Sequence, residues 1–268
     1  MTIRRGTHII HTVQPGDTVY GLAVRYESEV DAITQANALY PPFTDMYSLT
    51  PGQVLVIPKP LPTETLTLYV IQYGNTIGQL SQRFTTPIDP LSGINPTIHN
   101  PNFILPNQQI ELPVFIYEVD TGDTLASISE RTGIPIEAIM RANMNRLGVN
   151  QDVIYEGVRL IIPLPVSQNI VVTLPLPGTT VRDGSIIEGY ARTFEANVLF
   201  RLIDDSGQVV TEETFTTARY AAPSYGNFRD NIPFDRQPTT DSGELQVYTR
   251  SAQDGSIQDL VQIRVLFP

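Results

Sequence analysis

The chain has 268 residues, 41% of them apolar, with 17 basic and 28 acidic side chains and a formal charge of −11. That balance argues against a phosphate-tracking surface and so against nucleic acid as a partner. Cysteine is absent, which excludes disulfides, thiolate chemistry and Cys-based zinc sites together, and neither a cofactor nor a metal is expected. The start, MTIRRGTHIIHTV, has Arg4 and Arg5 with no apolar run of signal length behind them, so a twin-arginine signal fails and no signal peptide is expected. No run of about twenty apolar residues occurs, so no membrane-spanning helix is expected.

A Gly, an Asn 21 residues on, and a Pro closing an apolar stretch recur three times: Gly16, Asn37 and Pro58; Gly74, Asn95 and Pro113; Gly122, Asn143 and Pro163. Apolar residues coincide between them, as at Val19, Ile77 and Leu125, or Ile33, Leu91 and Ile139, which marks a tandem repeat. Each copy opens on a strand-like segment (residues 8–13, 68–72 and 116–119) that runs into a Gly-Asp-Thr or Gly-Asn-Thr turn. In these turns Asp17, Asn75 and Asp123, or the Thr after each, can cap a first helix. Val19, Leu22, Ala23 and Tyr26 follow at helical spacing, and Gly133 is placed to stop the helix of copy three. A second helix follows, buried through Val30 and Ile33, Ile88 and Leu91, and Ile136 and Ile139. Pro90 and Gly93 interrupt it in copy two. A closing strand ends each copy (residues 54–57, 109–112 and 159–162). The linker at residues 59–65, with two prolines, reads as semi-extended, and the short spacer after Pro113 places copies two and three side by side.

Beyond Pro165 the pattern turns to alternation and turn signals. Seven strands are expected over residues 169–174, 185–191, 197–203, 208–217, 227–234, 244–250 and 260–267. Asp204-Asp205-Ser206-Gly207 and Asp254-Gly255 supply turns, which outlines a two-sheet sandwich.

With its Gly-Asp-Thr opening, its Asn after the second helix and its ending from Pro51 to Pro58, PGQVLVIP, the repeat resembles the LysM module. The C-terminal part, through residues 174–181 (LPLPGTTV), 189–198 (GYARTFEANV) and 251–256 (SAQDGS), resembles the Gmad2 domain, an immunoglobulin-like sandwich of spore-germination and envelope proteins. The fold class implied is α+β and all-β multidomain: three small βααβ modules over residues 8–59, 66–114 and 115–164, then an immunoglobulin-like β-sandwich over residues 168–268. Copy two departs from the pattern, with Asn75 for Asp and Pro106-Asn107-Gln108 for Pro-Gly-Gln.

The LysM resemblance implies binding of N-acetylglucosamine-containing glycans, peptidoglycan or chitin, between the loop before the first helix and the loop before the closing strand. Carried over residue by residue, the site is Gly16, Asp17, Thr18 and Val19 with Tyr47, Ser48 and Leu49 in copy one. In copy two it is Gly74, Asn75, Thr76 and Ile77 with Phe103, Ile104 and Leu105. In copy three it is Gly122, Asp123, Thr124 and Leu125 with Asp152, Val153 and Ile154. Loop donors and acceptors meet an acetamido group while Leu, Ile or Tyr covers the sugar's apolar face. An Asp-Thr pair at a helix start is also a cap with no sugar present, and Asn37, Asn95 and Asn143 read as structural.

Nothing in the sequence supports catalysis. His8, His11 and His99 form no metal or nucleophile motif, and His8 and His11 read as ordinary surface or strand residues of an edge-like segment. Glu188, Glu195, Asp204 and Asp205 read as strand-surface and turn residues. Arg219, Tyr220, Tyr225, Phe228 and Arg229 form either a protein-contact patch or a loop folded over the sheet edge. The expected protein is a non-enzymatic binder that tethers its sandwich to the bacterial wall or spore envelope. The alternatives are an assembly protein of a coat, envelope or appendage, in which the repeats pack against protein, and a targeting subunit for a wall hydrolase.

Overall fold

The computed structural model describes residues 2–60 and 65–268, so the reading of the linker at 59–65 lies mostly outside the described residues. The elements run β1 (Thr2–Arg4), β2 (His8–Thr12), α1 (Val19–Tyr26), α2 (Val30–Ala36) and β3 (Val54–Pro58). Then come β4 (Thr67–Val70), α3 (Ile77–Phe84), α4 (Ile88–Gly93) and β5 (Gln109–Glu111). After them come β6 (Val114–Glu118), α5 (Leu125–Thr132), α6 (Ile136–Ala142) and β7 (Arg159–Pro163). The C-terminal part is all strand: β8 (Ile170–Leu174), β9 (Ser185–Ala191), β10 (Asn197–Asp204), β11 (Val209–Thr217), β12 (Gly226–Ile232), β13 (Ser242–Arg250) and β14 (Ile257–Leu266). No described helix is long and apolar enough to cross a membrane.

The chain divides into two compact units. The first holds, in its described part, residues 2–60, 65–85, 97–128 and 135–163, and is built on two sheets. One has the order β3-β2-β4-β5 and the other β1-β6-β7. Within the first, β2 pairs antiparallel with β3 and parallel with β4, so the opening strands of copies one and two lie side by side in one sheet. In the second, the N-terminal strand pairs with β6 of copy three, Thr2 opposite Glu118 and Arg4 opposite Ile116. The Arg4 guanidinium pairs with Glu118, which also takes Arg159 at 3.1 Å.

Two arginines tie copy three to the others. Arg146 is 6% exposed and donates to the carbonyls of Ala36, Val54 and Arg159, while the N–H of Val54 donates to the Asn145 carbonyl at 2.8 Å. Arg83 of α3 donates to the carbonyls of Ala142 and Met144, which brings copies two and three together as the short spacer requires. The core of copy one gathers Ile9, Val19, Leu22, Ile33, Leu55 and Ile57, with Leu147 of copy three packed against it.

His8 and His11 are not edge residues. Their strand is flanked on both sides, and they are 3% and 2% exposed. The edge reading failed because the second neighbour, β4, belongs to the next copy and leaves no local mark in the sequence.

Thr18, Thr76 and Thr124 cap the first helices by accepting from the N–H of Gly21, Gln79 and Ser127 at 3.0, 3.1 and 3.0 Å. The helix exits use left-handed backbone at equivalent positions: Glu27 (φ 54°), Thr85 (φ 54°) and Gly133 (φ 72°). Only copy three places a glycine there, and a side chain in that region is strained. Glu27→Gly is therefore expected to stabilise the protein by about 0.5–1 kcal/mol in denaturant unfolding. The exposed Lys59–Glu27 pair that it removes contributes little.

The second unit comprises residues 86–96, 129–134 and 164–268. Its seven C-terminal strands form sheets of order β11-β10-β13-β14 and β12-β9-β8. Burial alternates strictly along β10, so Val198, Phe200 and Leu202 face the core with Val247, Ile263 and Phe228. At the end of β10, Asp204 is buried and accepts from the backbone of Ser206, Gln208 and Thr239 and from two hydroxyls. These bonds hold its carboxyl well below the usual range.

The same unit explains why copy two keeps Pro90 and Gly93. Both lie within α4, Pro90 in its first turn, where the missing N–H costs no helical bond. At Gly93 a Cβ would fall 2.0 Å from the Tyr225 ring. Tyr225 also donates to the Gln168 carbonyl at 2.6 Å and lies under Arg192, which pairs with Asp89 of α4 at 2.8 Å. The aromatic and arginine group is thus divided. Tyr225 holds α4, Phe228 is core and Arg229 pairs with Glu188, while Tyr220 stays exposed. Gly93→Ala is expected to cost about 1–3 kcal/mol by overpacking and little in a Tyr225→Ala background, as a double-mutant cycle by denaturation would show.

Candidate functional site

In each copy the residue leading into the Gly-Asp-Thr turn is bonded to the turn that follows the second loop. Val13 exchanges hydrogen bonds with Gly52 and Gln53, Ile71 with Asn107 and Gln108, and Val119 with Gly157 and Val158, all at 2.8–3.0 Å. These pairs join the strand end that leads into residues 16–19, 74–77 and 122–125 to the turn that follows loops 47–49, 103–105 and 152–154. The middle turn residue needs positive φ, which Gly52, Asn107 and Gly157 supply at 89°, 68° and 81°. Asn tolerates that region better than most side chains, so Pro106-Asn107-Gln108 keeps the turn of Pro-Gly-Gln.

The opening turn is built alike in all three copies. Asp17, Asn75 and Asp123 each accept from the backbone N–H three residues earlier, that of Gln14, Gln72 and Asp120 respectively, at 2.8–2.9 Å. A residue of the preceding strand adds a second bond. His11 Nε2 reaches Asp17 at 2.8 Å, the Tyr69 hydroxyl donates to Asn75 at 3.1 Å, and the Tyr117 hydroxyl donates to Asp123. One acceptor oxygen suffices for both bonds, so Asn75 does the work of the aspartates. Thr rather than Asp caps each helix.

Burial pushes the His11 imidazole down toward its neutral form against the pull of Asp17. Neutral His11 fits its partners: Nε2–H donates to Asp17 while Nδ1 accepts from the Tyr26 hydroxyl at 2.9 Å. The Asp17 carboxyl is lowered despite its own burial, by the Gln14 N–H and by His11. With its side chain only 5% exposed, Asp17 offers a ligand its backbone more than its carboxylate.

Accessibility repeats with the fold. Gly16, Gly74 and Gly122 and the three following threonines are exposed, whereas Val19, Ile77 and Leu125 are buried beneath. In the second loops, Tyr47, Ser48, Phe103, Leu105, Asp152 and Val153 are exposed and Leu49, Ile104 and Ile154 half-buried. Each copy therefore presents exposed backbone beside half-buried apolar side chains, a surface for a neutral, amphipathic ligand. Two exposed aromatics escaped the sequence reading: Tyr20, just after Val19, is 73% exposed, and Tyr73, just before Gly74, is 94% exposed. A large aromatic flanking a polar turn was the available signal. The Gln14 and Gln72 side chains bond at 2.7 Å, which places the opening turns of copies one and two side by side.

Family comparison matches the LysM domain at residues 11–58, 69–113 and 117–163, and the Gmad2 domain, described as an immunoglobulin-like domain of bacterial spore germination, at residues 169–256. The chain is 31% identical over 105 residues to an endolysin of Bacillus phage B103, covering 37% of this chain and 39% of the endolysin. It is 28% identical over 185 residues to the secreted LysM effector ECP6 of Passalora fulva, covering 59% of this chain and 78% of the effector. Among solved structures it is similar to the spore cortex-lytic enzyme SleL of Bacillus cereus at 30% identity, over 40% of this chain and 22% of that one, with a TM-score of 0.30. The chain thus spans well under half the length of the endolysin and of SleL.

Proposed function

Since this chain belongs to the LysM family, with three such domains ahead of a Gmad2 domain, we propose that it binds N-acetylglucosamine-containing glycans, peptidoglycan or a chitin-like chain, without cleaving them. It thereby holds its C-terminal sandwich at the bacterial wall or spore envelope. The observation that carries this reading is the exposed opening turn, built three times with the same hydrogen bonds. Copy two keeps that turn, so all three copies are taken as binding modules, over residues 8–59, 66–114 and 115–164. The glycan-contacting residues are those of the paired loops, 16–19 with 47–49 and their equivalents.

Copies one and two share a sheet, so their sites are held at fixed spacing. A glycan strand long enough to reach both gains avidity of about 10²–10⁴ over one site. The reading is tested with purified insoluble peptidoglycan. The intact protein is expected in the pellet, with no new reducing ends released. Protein left in the supernatant defeats the binding claim, and reducing ends released in proportion to the protein added defeat the non-catalytic one.

A further inference from the structure

Beside the second loop of copy one lies a pocket lined by Thr50, Pro51, Gly52 and Gln53 from copy one and by Asn145, Arg146 and Leu147 from copy three. Two of the residues that line it carry a buried, unpaired side-chain donor. Gln53 is 8% exposed; its Oε1 accepts from the Thr50 N–H at 3.1 Å, but its Nε2 has no partner. Arg146 spends its terminal nitrogens on three carbonyls and leaves Nε without one. The equivalent amide in copy two is satisfied, since Gln108 Nε2 bonds Thr97. An unpaired buried donor is costly, and native proteins rarely keep two together.

The charge points the same way. Burial, and after it the charge of the neighbouring Arg83, pulls the Arg146 guanidinium down to about 9; no carboxylate answers it among the described residues. In a chain of net charge −11 this is a positive pocket walled by amide donors.

We infer that this pocket binds a carboxylate, and that on a glycan held by copy one the carboxylate is that of a peptide stem. Thr50 follows Leu49 of the sugar-facing loop directly, so a substituent hanging from a bound sugar lies within reach. Gln53 Nε2 and Arg146 Nε would donate to the carboxylate oxygens as charge-assisted bonds, with Pro51 and Leu147 as apolar walls. This rests on the glycan-binding reading and deepens it, because chitin has no stem carboxylate and peptidoglycan does.

Calorimetric titration of the whole protein tests it with three probes: an N-acetylglucosamine tetramer, a disaccharide-tetrapeptide muropeptide, and the same muropeptide with its carboxylates amidated. The free acid is expected to bind about tenfold more tightly than the amide, the scale of one charge-assisted hydrogen bond. Gln53→Glu keeps the acceptor for Thr50 and places negative charge in the pocket. It is expected to erase that preference and leave the tetramer's affinity unchanged. Equal binding of acid and amide by the unaltered protein overturns the inference while leaving glycan binding intact. Failure of every probe to bind overturns the glycan reading itself.

Discussion

Asn37→Asp is expected to destabilise the protein by at least about 3 kcal/mol, the largest effect of any single isosteric change in the repeats. Asn37 is 2% exposed; its amide donates to the carbonyls of Ile33 and Val56 at 2.8 Å each, and its Oδ1 accepts from the Val56 N–H at 2.8 Å. One side chain thus closes the end of α2 and stitches it to β3. Aspartate keeps the shape and the acceptor but faces a carboxylate to two carbonyls in a site buried from solvent. Asn143 makes the same three bonds to Ile139 and Ile161, so Asn143→Asp is expected to cost a similar amount. Denaturant unfolding measures both. A loss below about 1 kcal/mol would show that the amide is dispensable.

Acid should weaken the fold well above the pH at which carboxylates usually protonate. His8 is pushed down to about 4, chiefly by burial and then by the Arg159 charge. Nδ1–H donates to the Gly6 carbonyl at 3.0 Å, and Nε2 faces the Arg159 guanidinium at 3.4 Å, so a second ring proton would point at a cation. Between about 4 and the ordinary 6.5 the unfolded chain binds the proton and the folded chain does not. Stability is therefore complete above about pH 6.5 and falls as the pH drops toward 4, by about 3 kcal/mol in all. His11 is lowered too and acts in the same direction. The lowered carboxylates Asp17 and Glu118 add their own loss at lower pH, as they protonate. Unfolding midpoints across pH 7 to 4.5 should slope downward, and His8→Asn, whose amide can still donate to Gly6, should flatten the slope. A wild-type profile already flat over that range would contradict the burial argument.

These two sites show what the sequence could and could not convey. The asparagines were legible as structural because they recur at a fixed offset from each opening Gly. The starts of the first helix in each copy, the stop at Gly133 and the seven C-terminal strands were legible for the same kind of reason: caps, turn residues and periodicity are local. Partners that come from another copy were not. Nothing near His8 announces that β4 will lie beside it, and nothing near Thr2 announces pairing with β6. Copy two's departures misled for a subtler reason. Asn75 and Asn107 look like lost features, yet each preserves what the geometry uses, one acceptor oxygen in the first case and a positive φ in the second. Gly93 looks like a helix breaker until Tyr225 is placed against it. Tyr20 and Tyr73 carry no repeat signal, because these aromatics lie just outside the positions that the three copies share.

The claim on which the rest depends is that the paired loops hold sugar. It is tested most directly by titrating the isotope-labelled intact protein with N-acetylglucosamine oligomers and following its backbone amide resonances. Shifts are expected to concentrate at residues 16–20, 47–49, 73–77, 103–105, 122–125 and 152–154, with the C-terminal strands unmoved. Unperturbed spectra at saturating oligomer, or shifts confined to the sandwich, would contradict it.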